Sequence, residues 1–406
     1  MTYCFRVPHK SSYSKYTAAV VIIGGGVIGL TIARALKRRG MCDVIVIEKG
    51  EFGREASWAA GGILAPQVEA DAADDFFRLA CKSRDLYPQF AAELKVESGV
   101  DVELDTNGTL YVGFSNQDEA DLLDRFEWQR NEGFTVEWLD GDAARQLEPC
   151  LSDKVRCALL FPKDYQVDNR KLVQALLIAN ERLGVRLLSD CEARSLKIEN
   201  NAIAGINTSQ GFISTNMVVV AAGAWSSRIE SSKQLKHIGV EPVRGQMLCF
   251  EAKPQLARHV IYSSRGYLIP RHDGRLLAGS TTEHAGFDKR VTKEAIAAIK
   301  EMAVEIFPVV QSLPLIDSWA GFRPKPKDGL PVLGRSNEIE GLIYATGHYR
   351  NGILLAPVTG DSIAEIIIEA AQPSLLTAFS PDRFSEKTAE RPPALANARG
   401  SDATDF

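Results

Sequence analysis

Three glycines near the start of the chain, Gly24, Gly26 and Gly29, form the pattern G-x-G-x-x-G. The pattern follows the apolar run 18–23, opens a helix-like segment and is trailed by Glu48 at the end of a second apolar run. In that context the glycines permit a tight turn, a close approach of backbone to a pyrophosphate, and close packing of helix on strand. The helix N-terminus attracts the phosphates, and Glu48 would accept hydrogen bonds from a ribose diol. The unit therefore predicts a dinucleotide site, which NAD and FAD both satisfy.

Two later segments favour FAD over NAD. A single strand predicted over 212–221 runs into VVVAAGAW (218–225, with Gly223), and a second apolar strand runs into LIYATGH (342–348). Both strands close in small residues and glycine. Such turns let the backbone approach a large flat cofactor at the carboxyl edge of a parallel sheet. Together with the first unit, they resemble the FAD-binding fold of the glutathione-reductase type.

Arg323, in the sequence W-A-G-F-R-P, is the candidate partner for a substrate carboxylate. A guanidinium offers a planar, bidentate fork that a lysine cannot match. Tyr267 adds a hydroxyl donor, and Tyr262 is a weaker candidate. No Ser-His-Asp or Cys-His arrangement supports nucleophilic catalysis, so we assign no certain catalytic residue. Hydride transfer to a flavin depends on alignment more than on acid–base groups.

The elements that position these residues predict an α/β (α+β) protein of two interwoven domains. The nucleotide-type segments lie at the start, middle and end of the chain, and strand-rich sequence lies between them. We expect a Rossmann-like FAD-binding domain and a smaller substrate domain built on an antiparallel sheet. The expected boundaries are a flexible arm at 1–17, the FAD-binding domain at 18–75, 150–235 and 325–375, the substrate domain at 76–149 and 236–324, and a disordered tail at 387–406.

Composition excludes several other classes of function. The 406 residues are 45% apolar and 24% charged, with a net charge of -5, so a basic nucleic-acid surface is not expected. No apolar run approaches the roughly 20 residues that a membrane span needs, and we expect a cytoplasmic protein. The seven cysteines form no CxxC pair, so neither a metal site nor a disulfide framework is expected. No cysteine follows Cys249, which favours non-covalent flavin.

Several longer stretches resemble the D-amino-acid oxidase superfamily and, within it, the glycine oxidases of thiamine biosynthesis. They are REASWAAGGI (54–63), FFR (76–78), YLIP (267–270), WAGFRP with KDG (319–329) and GHYRNGILLAP (347–357). The likeness covers about residues 18–379. By this resemblance, the cofactor contacts are Val27, Ile28, Glu48, Lys49, Ala56, Ser57, Gly61, Gly62, Ile63, Ala193, His348, Tyr349, Arg350, Asn351, Gly352, Ile353 and Leu354.

The resemblance also implies the reaction. It is the FAD-dependent oxidative deamination of glycine, sarcosine and small D-amino acids by hydride transfer to flavin N5, with O2 reduced to H2O2. The imine is hydrolysed to glyoxylate and ammonia or passed to thiazole synthase. Arg323 would hold the substrate carboxylate with Tyr267 and Tyr262, and the backbone carbonyl of Arg350 would accept from the amine. His348 is expected to contact flavin rather than to act as a base, and a homotetramer is the implied assembly.

Two alternatives stay open. A D-amino-acid dehydrogenase that passes electrons to quinone shares part of the 319–329 stretch. A flavin-bearing scaffold or tRNA-modification partner would lack amine chemistry of its own. Ala65 and Arg265 depart from the family pattern near the expected pocket mouth, which leaves the substrate range open.

Overall fold

The computed structural model describes residues 16–231 and 238–384. Most of the expected N-terminal arm and the whole expected tail at 387–406 lie outside these residues. The strands are β1 Tyr16–Thr17, β2 Val20–Ile23, β3 Val44–Ile47, β4 Ile63–Leu64, β5 Thr109–Gly113, β6 Glu137–Asp140, β7 Cys157–Phe161, β8 Tyr165–Gln166, β9 Arg186–Leu188, β10 Ala193–Glu199, β11 Ala202–Thr208, β12 Gly211–Ser214, β13 Val218–Val220, β14 Glu230–Ser231, β15 Glu241–Glu251, β16 Val260–Ser263, β17 Gly266–Pro270, β18 Arg275–Gly279, β19 Leu315–Lys325, β20 Val332–Arg335 and β21 Leu342–Thr346.

The helices alternate with these strands over most of the chain. They are α1 Val27–Arg38, α2 Ala56–Ala59, α3 Pro66–Glu69, α4 Asp75–Ser98, α5 Asn116–Asn131, α6 Gly141–Leu147, α7 Asn169–Arg182, α8 Lys293–Ile306 and α9 Ala356–Glu369. Short 3₁₀ helices span Gly223–Arg228, Pro308–Ser312, Ser374–Phe379 and Pro381–Phe384. Among the described residues, no helix combines the length and the apolar character that crossing a membrane requires.

The first sheet, called here the cofactor sheet, has the strand order β20-β21-β13-β2-β3-β9. Its strands pair in parallel except for β20, which pairs with β21 in the antiparallel direction. Strands β2 and β3 are buried on both faces, as their continuous Val/Ile sequences predict. One face packs against α1, α7 and α9, and the other packs against a second sheet, β1-β12-β11-β10-β14.

The third sheet, called here the substrate sheet, has the order β19-β15-β18-β17-β16-β5-β7-β6. Most of its neighbours pair in the antiparallel direction. One face packs on α8, where Ile299, Met302 and Ile306 are buried. The opposite face carries Tyr262 and Tyr267 in a cluster with Trp319 and residues of α2 and α3. The substrate sheet is thereby held against the loops that leave the cofactor sheet.

Three segments lie differently from the expected arrangement. Strand β7 belongs to the substrate sheet, although it falls within the expected 150–235 portion of the FAD-binding domain. Helix α4 packs with α1, α7 and α9 in the core of the cofactor sheet, although it falls in the expected 76–149 portion of the substrate domain. The single strand expected over 212–221 is two strands, because Thr215 bonds locally to Met217 and the chain moves to another sheet.

Candidate active site

One long cleft opens between the carboxyl ends of the cofactor-sheet strands and the face of the substrate sheet. Nearly all of the candidate residues line it, among them Glu48 at the end of β3 and Arg323 on β19. Gly29 and Leu354 do not line it. Gly29 has no room for a Cβ because the Gly24 carbonyl oxygen occupies that space, which matches its expected packing role. Leu354 is buried in the core with α9 rather than at the cleft wall.

The turn between β2 and α1 leaves backbone exposed to the cleft. Gly24 has a φ of 112°, and a Cβ there would collide with the carbonyl oxygen of Ala221. Helix α1 begins after Gly26, has no acidic residue in its first turn and receives no side-chain cap from its N-cap residue. The Ser57 hydroxyl accepts from the Val27 N–H at 2.9 Å. A glycine cradle at a helix N-terminus whose first turn holds no acidic residue fits the pyrophosphate of a dinucleotide.

Glu48 is fixed at the end of β3 by backbone donors. The N–H of Gly25 donates to its Oε2 at 2.8 Å, and the N–H of Gly50 donates to its Oε1 at 3.2 Å. The carboxylate therefore stays beside the glycine turn, where a ribose diol can donate to its remaining lone pairs. Ala193 lies at this end of the cleft, two residues beyond Cys191, whose N–H donates to the Glu48 carbonyl at 2.8 Å.

Lys49 and Trp225 form the neighbouring wall. The Lys49 ammonium lies over the Trp225 ring, 3.2 Å from its centroid, and partial burial lowers the pKa of Lys49. Gly223 begins the 3₁₀ helix that carries Trp225, with a φ of 52°. These residues form a flat, positively charged surface that can contact the adenosine half of a dinucleotide.

Residues 60–63, called here the 60–63 loop, form the wall between α2 and β4. Gly62 has a φ of 73°, and a Cβ on it would collide with the Val167 carbonyl oxygen. The Asn169 amide donates to the carbonyls of Ser57 and Trp58 at 2.9 and 3.0 Å. The backbone from α2 to β4 is thus held from behind and presents its other side, with Ala56, Gly61 and Ile63, to the cleft.

The segment from Gly347 to Ile353 forms the opposite wall. Tyr349 adopts a φ of 47°, and its N–H donates to the Pro324 carbonyl at 3.1 Å. His348 is buried, its Nε2 is 3.1 Å from the Thr359 hydroxyl, and burial lowers its pKa to about 3. A histidine with that pKa is too weak a base to take a proton from an amine near neutral pH. Asn351 and Gly352 complete this wall.

Arg323 and Tyr267 meet at the substrate-sheet end of the cleft. Both donate to the Ser280 hydroxyl, Tyr267 at 3.0 Å, and Arg323 also donates to the Thr281 carbonyl at 3.0 Å. Within residues 16–231 and 238–384, no carboxylate lies within ion-pair distance of Arg323, so most of its N–H groups stay available. The Arg323 guanidinium lies against Gly245, where a Cβ would overlap it.

Arg350 and Tyr262 meet at Glu69, a residue that the sequence did not single out. The Tyr262 hydroxyl donates to the Glu69 Oε1 at 3.1 Å, and the Arg350 guanidinium donates to the same oxygen at 3.2 Å. Arg350 is 41% exposed at the mouth of the cleft. Neither Glu69 nor Ser280 lies in a sequence motif that marks a site. Glu69 begins an acid-rich stretch, which is typical of solvent-exposed surface.

The helix that carries Glu69 is clamped at both ends. The N–H groups of Gln67 and Val68 donate to the buried carboxylate of Asp164 at 3.3 and 3.0 Å. At the other end of α3, Arg125 donates to the carbonyls of Val68 and Ala70. Both helix ends are therefore satisfied, which fixes Glu69 against Tyr262.

Comparison with known proteins agrees with this geometry. The sequence profile of the DAO family, FAD dependent oxidoreductase, matches residues 19–366. The chain belongs to the DAO family. Its cofactor is FAD, and its fold is the two-domain DAO-type FAD-binding fold.

Three similar proteins illustrate the likeness. The glycine oxidase of Pseudomonas putida is 36% identical over 352 residues, which cover 86% of this chain and 94% of that protein. The bifunctional protein ThiO/ThiG of Trichormus variabilis is 34% identical over 381 residues, which are 93% of this chain but 56% of that protein. The crystal structure of glycine oxidase from Geobacillus kaustophilus aligns with a TM-score of 0.86 and 33% identity, covering 90% of this chain and 98% of that one.

Replacing Glu48 by alanine tests the ribose contact of the FAD. We expect the Kd for FAD to rise about 30-fold, since about 2 kcal/mol from hydrogen bonds to a charged acceptor is lost. The Kd is measured by titrating the FAD-free protein with FAD and following the fluorescence. Glu51→Ala is the matched control, because Glu51 also lines the cleft but its side chain is 76% exposed. Equal affinities in the two variants would contradict the assignment.

The burial of His348 predicts a pH dependence of stability. Its native pKa of about 3 lies below the ordinary value of 6.5, so the unfolded chain binds more protons between these values. Stability is therefore lost as pH falls below 6.5, by about 2 kcal/mol between pH 7 and pH 5. With saturating FAD, urea midpoints should fall less over this range in His348→Gln than in the parent. The exposed His284 gives the control His284→Gln. If the urea midpoint of His348→Gln falls with pH as steeply as that of the parent, the prediction is wrong.

Proposed function

We propose that this chain oxidises glycine and other small primary or secondary amines, such as sarcosine and small D-amino acids, with non-covalent FAD and O2 as the electron acceptor. The observation that carries the proposal is Arg323, a cleft-lining arginine that has no carboxylate partner in the described part of the chain. The family membership and the glycine oxidases among its relatives support the same reaction.

Arg323 binds the substrate carboxylate. Ser280 and Thr281 each accept a hydrogen bond from one η nitrogen of the guanidinium, which fixes its plane. The remaining N–H groups can then bind a carboxylate in a bidentate manner. The Tyr267 hydroxyl reaches the same point through Ser280 and can rotate onto the ligand. The carboxylate supplies the counter-charge that no described residue of the protein places there.

The amine end of the substrate faces the Arg350 segment. The backbone carbonyl of Arg350 accepts from the amine, while its side chain is turned to Glu69. When bound, FAD would supply the hydride acceptor and the route of the two electrons to O2. The protein contributes alignment, since holding both ends of the substrate fixes the position of the α-carbon between them.

The walls of this pocket favour a small substrate. The rings of Tyr262 and Tyr267 lie 5.3 Å apart and close one side. On the other side, Gly321 lies so near Ala59 that a Cβ would collide with it. A side chain on the substrate must fit between these surfaces, so we rank glycine and sarcosine above amino acids with branched side chains.

The position of the cysteines supports the non-covalent attachment of FAD. Among the described residues, Cys191 is the cysteine that lines the cleft, and it lies at the Glu48 end, beside the expected adenosine. We also propose that the imine product serves thiazole synthase, because relatives named ThiO/ThiG continue well beyond the length of this chain.

Arg323→Lys tests the carboxylate contact. We expect KM for glycine to rise about 100-fold with FAD retained, because two charge-assisted hydrogen bonds become one flexible contact worth about 3 kcal/mol less. The assay is peroxide release from glycine under air. Arg290→Lys is the control, since Arg290 is 86% exposed and pairs with Asp288.

Two outcomes would contradict the proposal. An unchanged KM in Arg323→Lys would remove the carboxylate role. Reduction of the bound flavin by glycine without peroxide under air, but with turnover on a quinone, would instead support a dehydrogenase.

A further inference from the structure

Arg271 is a buried arginine directly behind the 60–63 loop. It follows β17 and is 3% exposed. One η nitrogen donates to the Gly61 carbonyl at 2.7 Å and to the Asn169 Oδ1 at 3.3 Å. The other donates to the Val167 carbonyl at 2.9 Å and to the Gln166 Oε1 at 3.0 Å. A single guanidinium therefore ties the cleft-lining loop to β8 and to the start of α7.

All four acceptors of Arg271 are neutral. In residues 16–231 and 238–384 no carboxylate forms an ion pair with it, and its Nε has no hydrogen-bond partner. Burial lowers its pKa to about 10, so it remains protonated at neutral pH. The molecule thus buries a positive charge beside the cleft without a directly bonded counter-ion.

Asp168 is the acidic residue that most strongly attracts the charge of Arg271, and its own oxygens are bonded to other groups. Its Oδ1 accepts from the N–H groups of Arg170 and Lys171 at 2.9 and 3.1 Å. Its Oδ2 accepts from Arg275 at 2.7 Å, and Arg275 also pairs with Asp273. Arg275 therefore shares its charge between Asp168 and Asp273, and Asp168 attracts Arg271 through space without a hydrogen bond to it.

A purely structural cross-link would not require this charge. Burying a cation without a bonded anion costs several kcal/mol, and a neutral amide could bond to the same carbonyl oxygens. A charge in a low-dielectric interior acts over several ångströms on any group that changes its own charge. The 60–63 loop lines the cleft, and Arg271 bonds to the Gly61 carbonyl of this loop without lining the cleft itself.

We propose that Arg271 is a positioning residue that fixes the 60–63 loop and whose charge raises the reduction potential of the FAD bound against that loop. The inference rests on the proposed placement of the flavin ring beside Gly61, Gly62 and Ile63. FAD takes up two electrons and one proton and so gains one negative charge, which the buried guanidinium stabilises. The oxidised ring carries no such charge, so its stabilisation by Arg271 is weaker.

The test is the midpoint potential of FAD in the holoenzyme, measured by equilibration with a reference dye during photoreduction, without glycine. Arg271→Gln should shift the two-electron equilibrium at least tenfold toward oxidised FAD, which corresponds to a potential about 30 mV lower. Arg271→Lys keeps the charge and should restore most of the potential, although it loses the forked hydrogen bonds. A potential in Arg271→Gln equal to that of the parent would overturn the electrostatic role.

A second variant keeps Arg271 in place in case its replacement prevents folding. The Gln166 amide donates to the Asp105 carboxylate at 3.1 Å. The paired exchange Gln166→Glu with Asp105→Asn preserves that hydrogen bond and the net charge, but it places the carboxylate directly on Arg271. We expect a lower potential than in the parent, and an unchanged potential would count against the inference.

The failure of this inference is distinguishable from failure of the proposed function. Anaerobic bleaching of the parent flavin by glycine tests the substrate, whereas the dye equilibration requires none. If glycine does not reduce the flavin but Arg271→Gln still lowers the potential, the inference stands and the substrate is wrong. If Arg271→Gln and the paired exchange weaken FAD binding but keep the midpoint potential of the parent, Arg271 has only a structural role.

Discussion

The close approach of backbone to backbone at the carboxyl edge of the cofactor sheet is the constraint on which the site depends. Gly24 lies against the carbonyl of Ala221, Gly29 against that of Gly24, and Gly62 against that of Val167. In each case a Cβ would occupy the space of a carbonyl oxygen. Only glycine lets these turns pack so tightly, and the tight packing opens the cleft beside them.

Loops packed in this way cannot satisfy their own polar groups, so buried side chains from other elements do it. Asn169 bonds to the carbonyls that end α2, and Arg271 bonds to the carbonyl of Gly61. Asp164 bonds to the first N–H groups of α3. Each is buried and reaches a loop distant in sequence, which makes the walls of the cleft rigid before any ligand binds. That rigidity is what alignment-based chemistry requires.

The sequence predicted those parts of the site that are encoded locally. Gly24, Gly26 and Glu48 lie within one strand–helix–strand unit, so their spacing alone brings them together. Arg323 lies in a recognisable motif, and only the fold shows that no carboxylate among residues 16–231 and 238–384 pairs with it.

The parts that the sequence did not predict depend on contacts between distant segments. Glu69 meets Arg350 across 281 positions, and no local pattern marks either as the partner of the other. The division of residues 212–221 into two strands depends on which sheets receive them. Leu354 follows the cleft-lining segment in sequence, but the onset of α9 turns its side chain into the core.

The two arginines at the substrate end of the cleft are not equivalent, and their difference gives the site a direction. Arg350 forms an ion pair with Glu69, whereas the partners of Arg323 among the described residues are a hydroxyl and a carbonyl. An incoming carboxylate therefore gains more binding energy at Arg323, because no anion in the described part of the chain has to be displaced there. Glu69 meanwhile places negative charge on the Arg350 side, which suits an amine and opposes a second carboxylate. A zwitterion with its two charges one carbon apart fits this polarity in one orientation only.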